Sequence, residues 1–396
     1  MNMLNNLMER ELFTSDHELF RDQVRRFIQT EIVPFHDEWE EAGVVPRDIW
    51  LKAGETGMLC PTVPEEYSGS GADFLYSVIV TEEMARFGAS GPGFHIHSEM
   101  AVPYISNFGS EEKKQQWLPK CVSGEAIAGI AMTEPGAGSD LRKMSTTAKK
   151  TSDGYVLNGQ KVFISNGQIG DVFIVAAKTK NDDSVDSVSI FIVEADREGF
   201  SRGKNLKKLG AKAQDTSELF FDQVEIPHEN LIGDEEGKGF LQLMHGLARE
   251  RLTISVSCIA KAEGALEHTL AYANERELFH KKLVDFQNTQ FKLAEVQSDI
   301  VVGRCLVDRM LASYLDGKLD GETAAIAKLW TTEMVGRTTD TCLQLFGGWG
   351  YMWEYPITRA YADARVERIA GGTSEVMKMI ICKSMFKNAG IKADFS

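Results

Sequence analysis

The hydrophobic period changes twice along this chain, and that change limits the folds open to it. Between residues 15 and 125, Leu19, Phe20, Val24, Phe27 and Ile28 recur at helical spacing. Ser15-Asp16-His17-Glu18 reads as a capping box ahead of them, and Pro34 is expected to close that segment. Further helices are predicted near 46–58, 73–88 and 111–120, divided by Pro64 to Gly71 and by Gly91-Pro92-Gly93. From about 126 to 225 strand-like runs take over. Val172 to Ala177, Val188 to Val193 and Leu219 to Val224 are three, and Tyr155 to Ile164 reads as two short strands joined by an Asn158-Gly159 hairpin turn. No helix separates these runs, so a parallel βαβ sheet is not expected. From Phe240 helices return, over Leu252 to Leu270, about 285–315, about 322–345 and after Thr373, a pattern that suggests an antiparallel bundle. The expected fold class is α+β: an N-terminal α-helical domain over 1–125, a β-barrel-like antiparallel middle domain over 126–239, and a four-helix-bundle domain over 240–396.

Charge narrows the partners. With 43 basic and 58 acidic residues the formal net charge is −15, which argues against nucleic acid and against anionic membrane surfaces. No apolar run approaches the ~20 residues of a membrane span. The opening MNMLNNLMERELF has neither the apolar core of a secretory signal nor the Arg-rich character of a transit sequence. Six scattered cysteines without a C-x-x-C pair read as buried thiols in a reducing compartment. A bacterial cytoplasm is the expected location, with the mature part of an organelle enzyme as the alternative.

The first boundary carries the most chemistry. Ala128 to Asp140, A-G-I-A-M-T-E-P-G-A-G-S-D, begins as a strand and breaks at Pro135 into a stiff loop with two glycines and short polar side chains. Such a loop can hold a flat polar cofactor, although an ordinary strand exit has the same composition. Gly233 to Gly239 misses a phosphate loop by spacing and by lacking a Ser or Thr after the lysine, and reads as a linker. His95 and His97 lack the further ligands a zinc site needs.

Several motifs together resemble the acyl-CoA dehydrogenase family of flavoenzymes. They are T-E-P-G-A-G-S-D at 133–140, Phe163-Ile164-Ser165-Asn166, the trio Arg276, Phe279 and Gln287, and Gln344 to Asp363. Leu209 to Thr216 and Gly347 to Pro356 look most like its long-chain branch. The resemblance implies FAD, a homotetramer built as a pair of dimers, an acyl-CoA substrate, and electron-transferring flavoprotein as acceptor. It also implies that Ile130, Met132, Thr133, Gly138, Ser139, Phe163, Ile164 and Ser165 hold the flavin, and that Ser139 meets substrate. Thr373, Ser374 and Glu375 would touch the cofactor from the C-terminal side. Arg276, Phe279, Gln287, Gln344, Leu345, Phe346, Gly347 and Gly348 would reach the FAD of a neighbouring subunit. Read alone, Arg276 is a surface ion-pair partner and Phe163 or Phe279 a core residue.

The family's reaction needs one carboxylate to take an α-proton. In most members that Glu precedes a Gly-Thr pair near the C-terminus; here the position is Gly371, in Ile369-Ala370-Gly371-Gly372-Thr373. Either the protein is no dehydrogenase, or the base lies elsewhere. In the long-chain and isovaleryl branches a Glu followed by Arg-Leu supplies it, and Glu250 in Arg249-Glu250-Arg251-Leu252 matches that residue. Without the resemblance, Glu250 reads as a solvated carboxylate in a helix's first turn. The Gly371 amide, with a flavin ribityl hydroxyl, would bind the thioester oxygen; Arg251 and Gly372 are further substrate candidates, Arg251 alternatively anchoring a helix start. Lys143, His280 and His95 depart from the family pattern, and His95 is expected to alter the acyl pocket. The expected function is dehydrogenation of a medium- or long-chain acyl-CoA. An acyl or aminoacyl group on a carrier protein, or a non-catalytic thioester-binding scaffold, are the alternatives.

Overall fold

The computed structural model describes residues 10–180 and 187–393; residues 1–9 of the stretch read for targeting lie outside them. Helices α1 (Ser15–Phe27), α2 (His36–Ala42), α3 (Asp48–Glu55), α4 (Phe74–Arg86), α5 (Val102–Phe108) and α6 (Glu111–Ser123) make the first layer. The capping box is real but one residue earlier than expected: Thr14 is the N-cap, and His17 returns the bond to its backbone N–H. Pro34 does not close the segment. It falls in a 3-10 turn that follows a π-helical stretch at Ile28–Ile32, and the chain re-enters a helix at His36. The missing proline donor is tolerated at that helix start.

Strands β1 (Ala128–Ala131), β2 (Thr147–Lys150), β3 (Gly154–Ser165), β4 (Val172–Lys178), β5 (Val188–Glu194), β6 (Phe200–Asn205) and β7 (Thr216–Pro227) form one sheet, ordered β1-β4-β2-β3-β7-β6 with β5 on β4. The sheet is not purely antiparallel, as β1 and β2 both run parallel to β4. The Asn158-Gly159 hairpin is absent: β3 runs straight through it, paired to β2 and β7, with a bulge between Leu157 and Gly159. Asn158 accepts hydrogen bonds from the backbone and side chain of Gln223, so this pair bends a strand instead of reversing it. Strands β4 and β5 are buried along their whole length, which explains their unbroken apolar runs.

The C-terminal part comprises α7 (Gly239–Glu275), a small hairpin of β8 (Glu277–Leu278) and β9 (Lys281–Lys282), α8 (Gln287–Leu315), α9 (Gly321–Phe346), α10 (Pro356–Ala364) and α11 (Ser374–Asn388). Pro356 at its N-terminus pre-sets α10, a helix that the four-helix reading omitted. Arg10, Arg21 and Arg304 converge on buried Glu82 at 2.9, 2.8 and 2.5 Å, tying the first helices to the bundle. The stretches 209–216 and 347–356 help join the layers: Ala211 N–H donates to Asp363 at 2.5 Å, Lys212 sits 3.2 Å above the Trp353 ring, and Trp353 donates to Glu40 at 2.8 Å. None of the six cysteines forms a disulfide, but Cys305 is exposed and Cys382 half-buried, against the expectation that all are interior.

Candidate active site

Glu250 is not a solvated first-turn residue. Helix α7 starts at Gly239, so Glu250 sits three turns in, and it is 5% exposed. Burial pushes its carboxyl up to about 7, against the pull of a hydrogen bond from Tyr104 and the charges of Arg251 and Arg249. The Tyr104 hydroxyl donates to Oε1 at 3.2 Å. A carboxylate held near neutrality is suited to accept and return a proton at physiological pH.

Gly371 approaches the same helix one turn further on. It has φ +63°, and a Cβ on it would lie 2.5 Å from Cδ1 of Ile254, the i+4 neighbour of Glu250 on one helical face. Gly371 is thus restricted twice, by its left-handed backbone and by Ile254. Next to it, Gly372 accepts at its carbonyl from Lys328 at 2.6 Å; this lysine of α9 is fully buried. Thr373 caps α11, and Ser374 donates to Glu333 at 2.7 Å. Arg251 is buried mid-helix, with Nη1 3.4 Å from the Gly321 carbonyl at the start of α9 and Nε without a partner, a donor still available inside the protein.

The loop after β1 is fixed by a group that sequence inspection overlooked, Lys161. Its buried Nζ donates to the Met132 carbonyl at 3.0 Å and to Glu134 at 2.8 Å. Glu134 also accepts from Ser145 N–H, the Ser145 hydroxyl and Thr146 N–H. Burial alone would raise its carboxyl; Lys161 and these donors bring it down to about 2, as befits an anion that fixes the loop. Val162 N–H donates to the Thr133 carbonyl at 2.9 Å and Asn166 to the Ala128 carbonyl at 3.1 Å, so the segments 130–139 and 163–165 lie side by side. Ile130, Met132, Thr133 and Ser165 are half-buried, while Gly138, Ser139 and Phe163 are exposed; the Ile164 side chain is in the core, leaving its main chain for any ligand.

These donors, hydroxyls and apolar faces fit a flat ring system with polar edges. Phe163 strengthens the fit: a bulky residue at φ +62° and 66% exposed, it is strained and uncovered in one chain. The π-helical segment Ile96–Ala101, unforeseen in the sequence, links this cradle to the carboxylate. His97 accepts at Nδ1 from Ala128 N–H at 2.9 Å and donates from Nε2 to the Cys121 carbonyl, so both ring nitrogens are occupied. Two residues on, Glu99 pairs with Arg249, the neighbour of Glu250. His95, just ahead of that segment, is half-buried and burial pushes it down to about 4.

The remaining candidates gather at the far end of α7. From residue 250 to residue 276 is 26 residues, or about 39 Å of helix. There Tyr272 stacks on Phe346 at 4.1 Å and holds the 344–351 turn against the end of α7. Arg276, Gln287, Gln344, Gly347 and Gly348 are exposed and Leu345 half-buried, whereas the Phe346 side chain is core and offers only backbone. Phe279 is 87% exposed at φ +51°, and His280 follows at φ +64°, both in the left-handed region that favours glycine. Glu375 and Lys143 are also exposed, Lys143 3.8 Å from Asp140.

A buried, near-neutral carboxylate, a tight glycine turn beside it and a strand-end cradle suited to a flat polar ring make up the candidate site. Models of the acyl-CoA dehydrogenase N-terminal, middle and C-terminal domains match residues 14–125, 129–224 and 237–386. The chain is 44% identical to the mitochondrial long-chain specific acyl-CoA dehydrogenase of Rattus norvegicus, over 98% of this chain and 90% of that one. It superposes on a crystal structure of acyl-CoA dehydrogenase from Geobacillus kaustophilus with a TM-score of 0.93 at 45% identity, covering 95% and 99% of the two chains. A glutaryl-CoA dehydrogenase from Mycobacterium smegmatis in complex with FADH2 superposes with a TM-score of 0.92 at 28% identity, over 99% of each. The chain belongs to the acyl-CoA dehydrogenase family.

Proposed function

We propose that the protein is an FAD-dependent acyl-CoA dehydrogenase that converts a medium- or long-chain acyl-CoA to the trans-2-enoyl-CoA, with Glu250 as the α-proton base. The observation that carries this reading is the buried Glu250 carboxyl, held at about 7 on the helical face that packs against Gly371. Glu250 takes the α-proton, and the electron pair left behind forms the new double bond as the β-hydrogen departs with its own pair. FAD, when bound, supplies the two-electron acceptor for that hydride. Ile130, Met132, Thr133, Gly138, Ser139, Phe163, Ile164 and Ser165 form its cradle, with Thr373, Ser374 and Glu375 on the C-terminal side. The Gly371 N–H stabilises the thioester oxygen as charge builds on it, while Ser139, Arg251 and Gly372 contact substrate.

Arg276, Phe279, Gln287 and Gln344 to Gly348 lie about 39 Å along α7 from Glu250, a separation in keeping with their serving the FAD of a neighbouring subunit in a homotetramer. The exposed, strained Phe279 supports that contact. Electrons leave to electron-transferring flavoprotein. No helix among the described residues is long and apolar enough to cross a membrane, and the scattered cysteines without a C-x-x-C pair support a reducing compartment such as the cytoplasm. Anaerobic mixing of FAD-loaded Glu250→Gln with an acyl-CoA panel tests the assignment: FAD stays bound and its visible band persists. Bleaching at the wild-type rate would remove Glu250 from the mechanism.

A further inference from the structure

We propose that Tyr104 is a positioning residue for the base: its hydroxyl aims the Glu250 carboxylate and sets the pH at which the enzyme turns over. The inference rests on Glu250 being the base. Its geometry is independent of that reading. Tyr104 lies on α5 and is 2% exposed, and it reaches across 146 residues of sequence to donate to Glu250 Oε1 at 3.2 Å. The close approach depends on Gly246, one turn ahead of Glu250. A Cβ there would lie 2.8 Å from the Tyr104 oxygen and 3.1 Å from Glu250 Oε1, so the helix leaves room for the two groups to meet.

The chemistry of the pair is asymmetric. Burial and the Glu250 charge push the Tyr104 phenol well above its usual value, so it remains a neutral donor and never competes for the proton. A neutral donor bonds an ionised carboxylate more strongly than a protonated one, which favours the form that can accept the α-proton. Of the other charged or titratable groups around this stretch, His245 of α7 packs edge-on against Phe108 of α5, and the rest have partners or are held neutral. Arg249 of α7 binds Glu99 of the π-helical segment, and burial pushes His95, just ahead of that segment, down to about 4. Lys328 of α9 is bonded to Gly372, Lys261 is paired with Glu367, and Arg251 reaches Gly321.

The test uses FAD-loaded Tyr104→Phe and Gly246→Ala, and follows single-turnover flavin bleaching from pH 5.5 to 9. In Tyr104→Phe the acid limb moves about one unit alkaline, with about a tenfold loss at pH 6.5 and recovery towards the wild-type plateau at high pH. Gly246→Ala keeps both side chains, wedges them apart and favours the helix, so it shifts the limb the same way and carries the test if Tyr104→Phe does not fold. An unshifted limb in the folded variants overturns the role of Tyr104. If Glu250→Gln also bleaches normally, the base assignment fails; if it is inactive while Tyr104→Phe is unshifted, only the Tyr104 inference fails.

Discussion

If Glu250 is held near pH 7 by burial, the protein gives up stability to keep it ionised, and that cost is measurable without any substrate. An unperturbed glutamate ionises near 4.5 and Glu250 near 7, a difference of about 2.5 units. At about 1.36 kcal/mol per unit this is on the order of 3 kcal/mol. The folded state binds this proton more tightly than the unfolded chain does. The protonated group therefore has its full stabilising advantage below pH 4.5. That advantage is lost progressively between 4.5 and 7, and above 7 the loss is complete. Glu250→Gln is neutral at every pH and keeps an oxygen for Tyr104. It should match wild-type stability near pH 4.5 and exceed it by about 3 kcal/mol at pH 8. Denaturant unfolding of the two holoenzymes at half-unit pH steps reads the difference. A difference that is flat with pH, or a variant less stable than wild type at pH 8, would refute the reasoning, because it would mean that the carboxylate is not desolvated.

Other positions give separate readouts. Gly371→Ala places a Cβ 2.5 Å from Ile254 Cδ1 in a left-handed backbone, so it should lower the melting temperature and cut turnover at least tenfold; adding Ile254→Ala should recover packing but leave the backbone cost of about 1–2 kcal/mol. Lys328→Met leaves the Gly372 carbonyl unpaired and should cost about 1–3 kcal/mol, seen as faster amide exchange over Gly371–Thr373. Glu134→Gln strands buried Lys161 and should destabilise by about 3–5 kcal/mol and weaken FAD retention, measured by calorimetry and flavin release. Because the Glu134 value is depressed to about 2, its stabilising share is present above pH 4.5 and disappears as pH falls towards 2; an acid-unfolding limb unchanged in the variant would contradict this.

The layers of the fold were legible because they depend on local period. Helices α7, α8 and α9 and strands β4 and β5 each carry a long apolar pattern that a one-dimensional reading registers. The errors fall where a local signal met a non-local one. Asn158-Gly159 has the composition of a hairpin turn, but β2 and β7 flank β3 on both sides and turn it into a bulge. The π-helical segment Ile96–Ala101 breaks the 3.6-residue period, so the element joining cradle to carboxylate left no periodic trace. The segments meant to seat the flavin do lie together, but the groups that hold them there, Lys161 and Glu134, are 27 residues apart and carry no shared motif.

The base shows the same division at the level of chemistry. Arg249-Glu250-Arg251 is visible as three charges in a row, and a row of charges usually marks a wet surface. Here all three are enclosed or nearly so, and each does something different: Arg249 binds Glu99, Arg251 reaches the start of α9, and Glu250 faces Tyr104. Burial alone would leave Glu250 protonated at neutral pH and useless as a base. The flanking arginines and Tyr104 pull it back to about 7. Three opposing influences from α7 and α5 thus set one carboxylate where it can take a proton and return it. The sequence carries all of those residues, but only the crossing of α5 over Gly246 brings them to one point.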